Sequence, residues 1–211
     1  MTEVISIDHD GADAARAALE RRVGGGGVAL FPADTLYGLA CDPLAVAAVG
    51  RIHSIKGRDE GKSSAVMYFS PLAMRDLVSG LGSRARDAVG ALLPGPVTLV
   101  VANPEHRYPL ACREDPERLG VRLIEGPLAG AMTPVFQTSA NRSGAPAPTR
   151  FDEIPQGILE EVDLAIDGGE LIGAPSTVVD IARIDQGGGW TILRAGAMNR
   201  EDVERALRGG S

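Results

Sequence analysis

Lys56, Arg58 and Lys62 stand within seven residues of one another, a concentration of positive charge in a chain whose formal net charge is −7. Arginine grips phosphate oxygens with a planar fork and lysine adds a point charge, so the trio suits a polyphosphate, neutralising the charge that develops when a phosphate group leaves. In extended backbone, positions 56 and 58 share a side. Taken alone, a solvated charged turn is the simpler reading. Three other polar islands raise the same question: Pro32-Ala33-Asp34-Thr35-Leu36-Tyr37-Gly38-Leu39, Ser139-Ala140-Asn141-Arg142-Ser143-Gly144 and Pro175-Ser176-Thr177-Val178. The second follows an apolar run at 134–137 and precedes a proline-rich loop. Its hydroxyl and amide groups can donate to phosphate or carboxylate, or form an Asx or Ser turn that satisfies only its own main chain. The hydroxyls of Ser176 and Thr177 face a cleft or cap a turn, and Thr35 with Tyr37 reads by itself as a strand-end turn holding a half-buried tyrosine.

These islands need elements to hold them. An alanine-rich stretch at 12–23, with Asp10 as its N-cap and the glycines at 24–27 as its stop, predicts a helix. Leu44, Ala48, Val49, Ile52 and Ile55 fall at helical spacing and put Lys56 directly after a helix. Further helices are predicted at 71–78, 83–92, 151–161 and 200–207, and strands at 28–31, 65–69, 97–101, 120–123, 162–166, 177–181 and 190–193. The segment Gly57-Arg58-Asp59-Glu60-Gly61-Lys62-Ser63 imitates a P-loop but is one residue short, and a helix leads into it where a P-loop needs a strand. The alternation gives an α/β or α+β sheet protein.

Composition narrows the class. Hydrophobic residues are 44% and charged residues 23%, the profile of a folded domain, and 27 glycines with 14 prolines imply many tight turns. At 211 residues one domain spanning 1–211 is expected. No apolar run approaches a membrane span and the first ten residues lack a signal core, which predicts a cytoplasmic protein without membrane contact. The acidic balance argues against bulk attraction to nucleic acid, although a local basic cleft leaves RNA binding possible. Cys41 and Cys112 have no metal-site or redox spacing and read as buried thiols. His9, His53 and His106 are scattered and receive no role, and no metal-ligand set is found.

Taken in order with Pro94-Gly95-Pro96-Val97-Thr98, Val121-Arg122 and Leu193-Arg194-Ala195-Gly196, the islands resemble the YrdC/Sua5 family of threonylcarbamoyl-AMP synthases, over residues 23–196. The resemblance implies a YrdC-like α/β fold, a twisted mixed parallel and antiparallel sheet with flanking helices around a concave basic cavity. It also implies a nucleotidyltransferase, an L-threonylcarbamoyladenylate synthase: L-threonine, bicarbonate and ATP, with Mg2+ on the phosphates, give threonylcarbamoyl-AMP and pyrophosphate for the t6A37 modification of tRNA, which a separate transferase complex completes. By the same resemblance Lys56, Arg58, Ser139 and Asn141 bind the phosphates and the adenylate, Lys56 and Arg58 being the catalytic cations, and Lys62, Thr98, Thr149 and Arg194 lie near the nucleotide. Thr35, Tyr37, Arg122 and Ser176 then form the threonine site. The chain resembles the short type, without the C-terminal domain of Sua5.

Asp59, Ser63, Ile124 and Ala195 depart from the family pattern, each where a proline or a Pro-Leu pair is usual. They keep open a diverged paralogue using another acyl-adenylate substrate, and a non-catalytic module for double-stranded RNA or tRNA. The loop-rich segment 103–117 is expected to be a lid over the cavity.

Overall fold

The computed structural model describes residues 1–57 and 63–209, so Arg58 and Lys62 lie outside the described residues. The strands are β1 (Glu3–Ser6), β2 (Ala29–Pro32), β3 (Tyr37–Cys41), β4 (Ala65–Tyr68), β5 (Val97–Ala102), β6 (Arg118–Leu123), β7 (Val135–Ser139), β8 (Leu164–Asp167), β9 (Thr177–Asp180) and β10 (Thr191–Arg194). They form one ten-stranded sheet in the order β1-β8-β2-β3-β7-β4-β6-β5-β9-β10. β1/β8, β2/β8, β4/β6 and β5/β9 pair in parallel. β2/β3, β3/β7, β4/β7, β5/β6 and β9/β10 pair antiparallel, so the sheet is mixed as expected.

The helices are α1 (Ile7–Asp10), α2 (Ala12–Gly24), α3 (Val46–Lys56), α4 (Pro71–Ser79), α5 (Ser83–Leu92), α6 (Pro109–Cys112), α7 (Gln156–Leu159) and α8 (Arg200–Gly209). Among the described residues no helix is long and apolar enough to cross a membrane. α2 buries Ala15, Ala18, Leu19 and Val23, a helical stripe. Its N-cap is Gly11 rather than Asp10, which instead accepts the Ser6 amide at 2.9 Å and belongs to α1. The helix expected over 151–161 is also corrected: a 3-10 turn, Phe151–Glu153, and the short α7 are separated at Ile154 and Pro155. Proline lacks an amide donor and keeps the preceding residue extended, and Ile154 has φ −70° and ψ 125°.

Alternation along the strands builds two cores on opposite faces. Leu30, Leu39, Val66, Tyr68, Leu99, Val121 and Phe136 enter one, under α3, α4, α5 and α8. Ala29, Phe31, Ala40, Met67 and Val135 enter the other, under α2. Met67 pairs in register with Arg122, so the face that is apolar core at β4 becomes polar one strand further on. That change of character places the site.

Candidate functional site

The polar half of the sheet floors a cavity of about 790 Å3. On β6, Arg118, Gly120 and Arg122 line it while Leu119, Val121 and Leu123 fill the core behind. On β5, Thr98 and Val100 line it while Val97, Leu99 and Val101 turn inward. Ser176 and Val178 repeat the pattern at β9, and Leu193 and Arg194 close that end. A period of two therefore sorts site residues from core residues on three adjacent strands.

Lys56 is delivered by the end of a helix. Gly57 adopts φ 56° and ψ 41°, the left-handed conformation that stops α3, and sends its amide to the carbonyls of His53 and Ser54. The Lys56 ammonium, although its residue is only 4% exposed, then reaches the turn after β7. It donates to the carbonyls of Ser139 and of Asn141 (2.7 Å for the latter), with Asn141 Oδ1 at 3.3 Å and Ser139 Oγ at 3.5 Å. The Ser143 amide returns a bond to the Lys56 carbonyl at 2.8 Å. Asn141 is an Asx-type organiser as well: its amide donates to the carbonyls of Arg142 (3.0 Å) and Ala145 (2.6 Å), and its Oδ1 accepts from Ser139 Oγ at 2.5 Å. The turn-satisfying and the ligand-facing readings of this island thus coexist, since Lys56, Ser139, Asn141 and Ser143 all line the cavity.

The opposite end is built from arginines and hydroxyls. Thr98 Oγ1 and Ser176 Oγ lie 2.9 Å apart, and Arg194 donates to the Ser176 carbonyl at 2.8 Å and to its hydroxyl at 3.2 Å. Gly196 makes this possible: a Cβ there would stand 2.3 Å from the Pro175 carbonyl oxygen and 2.5 Å from the Ser176 carbonyl carbon. Arg122 forms an ion pair through Nη2 with Asp34, in the turn between β2 and β3. Burial holds the Asp34 carboxyl above its ordinary range despite Arg122, and burial lowers Arg122 despite Asp34, with the nearby Arg194 charge adding to the lowering. Thr35, 2% exposed, follows Asp34 and lines the cavity.

The structure therefore brings Thr35, Lys56, Thr98, Arg122, Ser139, Asn141, Ser176 and Arg194 to one cavity. Tyr37 and Thr149 are not among the described residues that line the cavity. The Tyr37 ring is buried in the core, and its hydroxyl donates to the Gly169 carbonyl at 2.8 Å and accepts the Gly168 amide at 3.0 Å. Burial pushes that phenol up to about 12, so it stays protonated at neutral pH. Thr149 donates its hydroxyl to Glu153 at 3.1 Å, the carboxylate that also accepts the Thr149 and Arg150 amides at the start of the 3-10 turn. Asp115, Arg118, Gln137 and Thr138 line the cavity without having been singled out from sequence. The signal for Arg118 was its spacing of four from Arg122 along a strand, which puts both on one face.

Segment 103–117 lines one side of the cavity through Ala111, Cys112 and Asp115. Asn103 closes its base through Nδ2 to the Arg107 (3.0 Å) and Pro116 (2.9 Å) carbonyls, and Ala111 and Cys112 are buried within it. Its carbonyls take bonds from the Ser64 amide (3.0 Å, to Ala111) and the Ser63 hydroxyl (3.2 Å, to Cys112). Cys112 and Cys41 are buried free thiols, and burial raises Cys41 to about 12.

A mixed ten-stranded sheet with a cationic, hydroxyl-lined cavity on its uncovered half defines an α/β protein suited to a ligand carrying several negative charges. The Sua5/YciO/YrdC family model, described as Telomere recombination, matches residues 22–196. The threonylcarbamoyl-AMP synthase of Xanthomonas axonopodis pv. citri is 31% identical over 193 residues, covering 88% of this chain and 98% of that one. That of Pyrococcus abyssi is 29% identical over 193 residues, covering 86% of this chain and 54% of the relative, so the chain spans about half that relative's length. P. abyssi Sua5 in complex with L-threonine superposes with a TM-score of 0.83 at 26% identity, covering 98% of this chain and 60% of that one. Escherichia coli YciO shares the fold at a TM-score of 0.81 and 24% identity, covering 96% and 100%. The chain belongs to the Sua5/YciO/YrdC family.

Proposed function

We propose that this protein is an L-threonylcarbamoyladenylate synthase, a nucleotidyltransferase that converts L-threonine, bicarbonate and ATP into threonylcarbamoyl-AMP and pyrophosphate. The observation that carries the reading is one cavity lined by Lys56, Ser139 and Asn141, which are bonded together at the end of β7, and also by Thr35, Arg122, Ser176 and Arg194. Its volume of about 790 Å3 suits a ligand with a nucleotide part and an amino-acid part. The curated relatives bearing this enzyme name, and the P. abyssi Sua5 complex with L-threonine, support the substrate choice.

In this reading the neutral amine of threonine forms an N–C bond with bicarbonate-derived CO2 and gives up a proton. A carbamate oxygen then bonds to the α-phosphorus of ATP while the bond to the bridging oxygen breaks and pyrophosphate leaves. The protein needs no nucleophile of its own, because adenylyl transfer gains from orientation and from fixed positive charge. Lys56 supplies charge to the phosphates, a role the reading extends to Arg58 and Lys62, and Arg122 with Ser176 receives the threonine carboxylate. Mg2+ would arrive on the phosphate oxygens. The product would pass to a separate transferase complex acting on tRNA.

The test is pyrophosphate release by the purified protein with L-threonine, bicarbonate, ATP and Mg2+, leaving out each in turn. Release that needs threonine and bicarbonate supports the synthase. Release indifferent to both would point to a paralogue with another acyl-adenylate substrate.

A further inference from the structure

Among the described residues Asp34 and Arg122 form the most deeply buried ion pair, their side chains 16% and 5% exposed. The pair is made through one nitrogen only. Arg122 Nη2 meets Asp34 Oδ1, while Arg122 Nε and Asp34 Oδ2, the atoms that would complete a two-bond fork, are both buried with no hydrogen-bond partner among the described residues. Burial shifts each group toward its neutral form, more strongly than the pair's attraction holds it charged. Such a pair contributes little to the fold, since desolvation offsets the Coulombic gain.

A costly, half-closed pair at a cavity wall has a use if it fixes the arginine. Arg122 lines the cavity, yet its guanidinium makes no hydrogen bond among the described residues except the one to Asp34. A guanidinium on a flexible stem needs such an anchor to face a ligand in one orientation. Asp34 itself does not line the cavity, but its neighbour Thr35 does. The carboxylate thus stands behind the arginine.

We infer that Asp34 is a positioning residue: it holds Arg122 by Nη2 so that the rest of the guanidinium meets the carboxylate of an amino-acid substrate on the cavity floor. This rests on the threonine reading above. It assigns the discrimination for a free carboxylate to two residues 88 positions apart in sequence.

The experiment compares the full chain with its Asp34→Asn and Asp34→Ala variants in three measurements. Calorimetry gives the affinity for L-threonine and for L-threoninol, which lacks the carboxylate, and separately for ATP. The arginine Nε resonances report Arg122 without any ligand. Asp34→Asn is expected to weaken L-threonine about tenfold, leaving L-threoninol and ATP within about twofold, and to shift and broaden the Arg122 resonance. Asp34→Ala should exceed it in the same direction. Unchanged threonine-to-threoninol preference in the variants, or equal loss of threonine, threoninol and ATP, overturns the inference. An Arg122 resonance identical in all three proteins overturns it also. Should the wild type bind no threonine while Arg122 still loosens in Asp34→Asn, the anchoring stands and the threonine reading falls.

Discussion

The ammonium of Lys56 ends on the backbone carbonyls of Ser139 and Asn141, so a single side chain ties the end of α3 to the turn after β7 across 83 positions of sequence. Lys56 is therefore an organiser of the phosphate end as well as a source of charge. Lys56→Met keeps the apolar stem and removes both functions. Turnover should fall by about 10²-fold to 10³-fold, the loss typical of deleting one electrostatic contact to a transition state. Stability should fall by about 1–3 kcal/mol, because buried carbonyls lose their donor. Rapid-quench turnover and urea unfolding on the same variant check both.

Arg122→Met leaves the Asp34 carboxylate buried beside an apolar side chain. Burial already raises Asp34, and Arg122 is the largest influence lowering it, so the variant raises it further. A carboxyl whose folded pKa lies above its unfolded one contributes stability that is present below the unfolded value and lost as pH rises through the folded value. The variant's deficit against wild type should thus be small in acid and grow to about 3–5 kcal/mol at neutral pH. Chemical denaturation across pH reads this directly, and a deficit that shrinks toward neutral pH would contradict it.

At the other end of the cavity, Ser176→Ala removes the hydroxyl shared with Thr98 at 2.9 Å and Arg194 at 3.2 Å but keeps Arg194 on the Ser176 carbonyl at 2.8 Å. We expect about a fivefold rise in KM for threonine, equivalent to about 1 kcal/mol. Gly196→Ala should be worse. Its Cβ would stand 2.3 Å from the Pro175 carbonyl oxygen, so backbone carrying Ser176 must move. Threonine KM measured at saturating ATP for both variants tests the ranking.

Tyr37→Phe separates the core from the site. The hydroxyl serves the Gly168 amide and the Gly169 carbonyl, at 3.0 and 2.8 Å. Its loss should lower stability by about 1–3 kcal/mol while kcat/KM for threonine stays within about twofold. A large fall in kcat/KM without loss of stability would return Tyr37 to the substrate site.

Much of this arrangement was legible in the sequence. The strand runs at 65–69, 97–101 and 177–181 and the helices at 12–23, 71–78 and 83–92 fall within a residue or two of β4, β5, β9, α2, α4 and α5, because periodic burial writes itself as periodic hydrophobicity. The helix at 151–161 failed at Pro155, where backbone chemistry overrides a helical pattern. β1 and α1 were missed because the first ten residues bury no side chain fully and carry no clear period. Within the site, Lys56, Ser139 and Ser176 stood out as polar islands, whereas Gln137 and Thr138 lay in a strand whose polar face is defined only by neighbours distant in sequence. The Asp34–Arg122 relationship is of the same kind. Each residue sits in a recognisable motif, but their pairing depends on how β2, β3 and β6 are arranged in the sheet.

The most direct test is the product itself. The protein is incubated with 15N-labelled L-threonine, 13C-labelled bicarbonate, ATP and Mg2+, and the nucleotides are resolved by mass spectrometry. The account predicts one adenylate carrying both labels, formed together with pyrophosphate and absent when either labelled substrate is omitted. ATP consumed to AMP or ADP with no doubly labelled adenylate would contradict it.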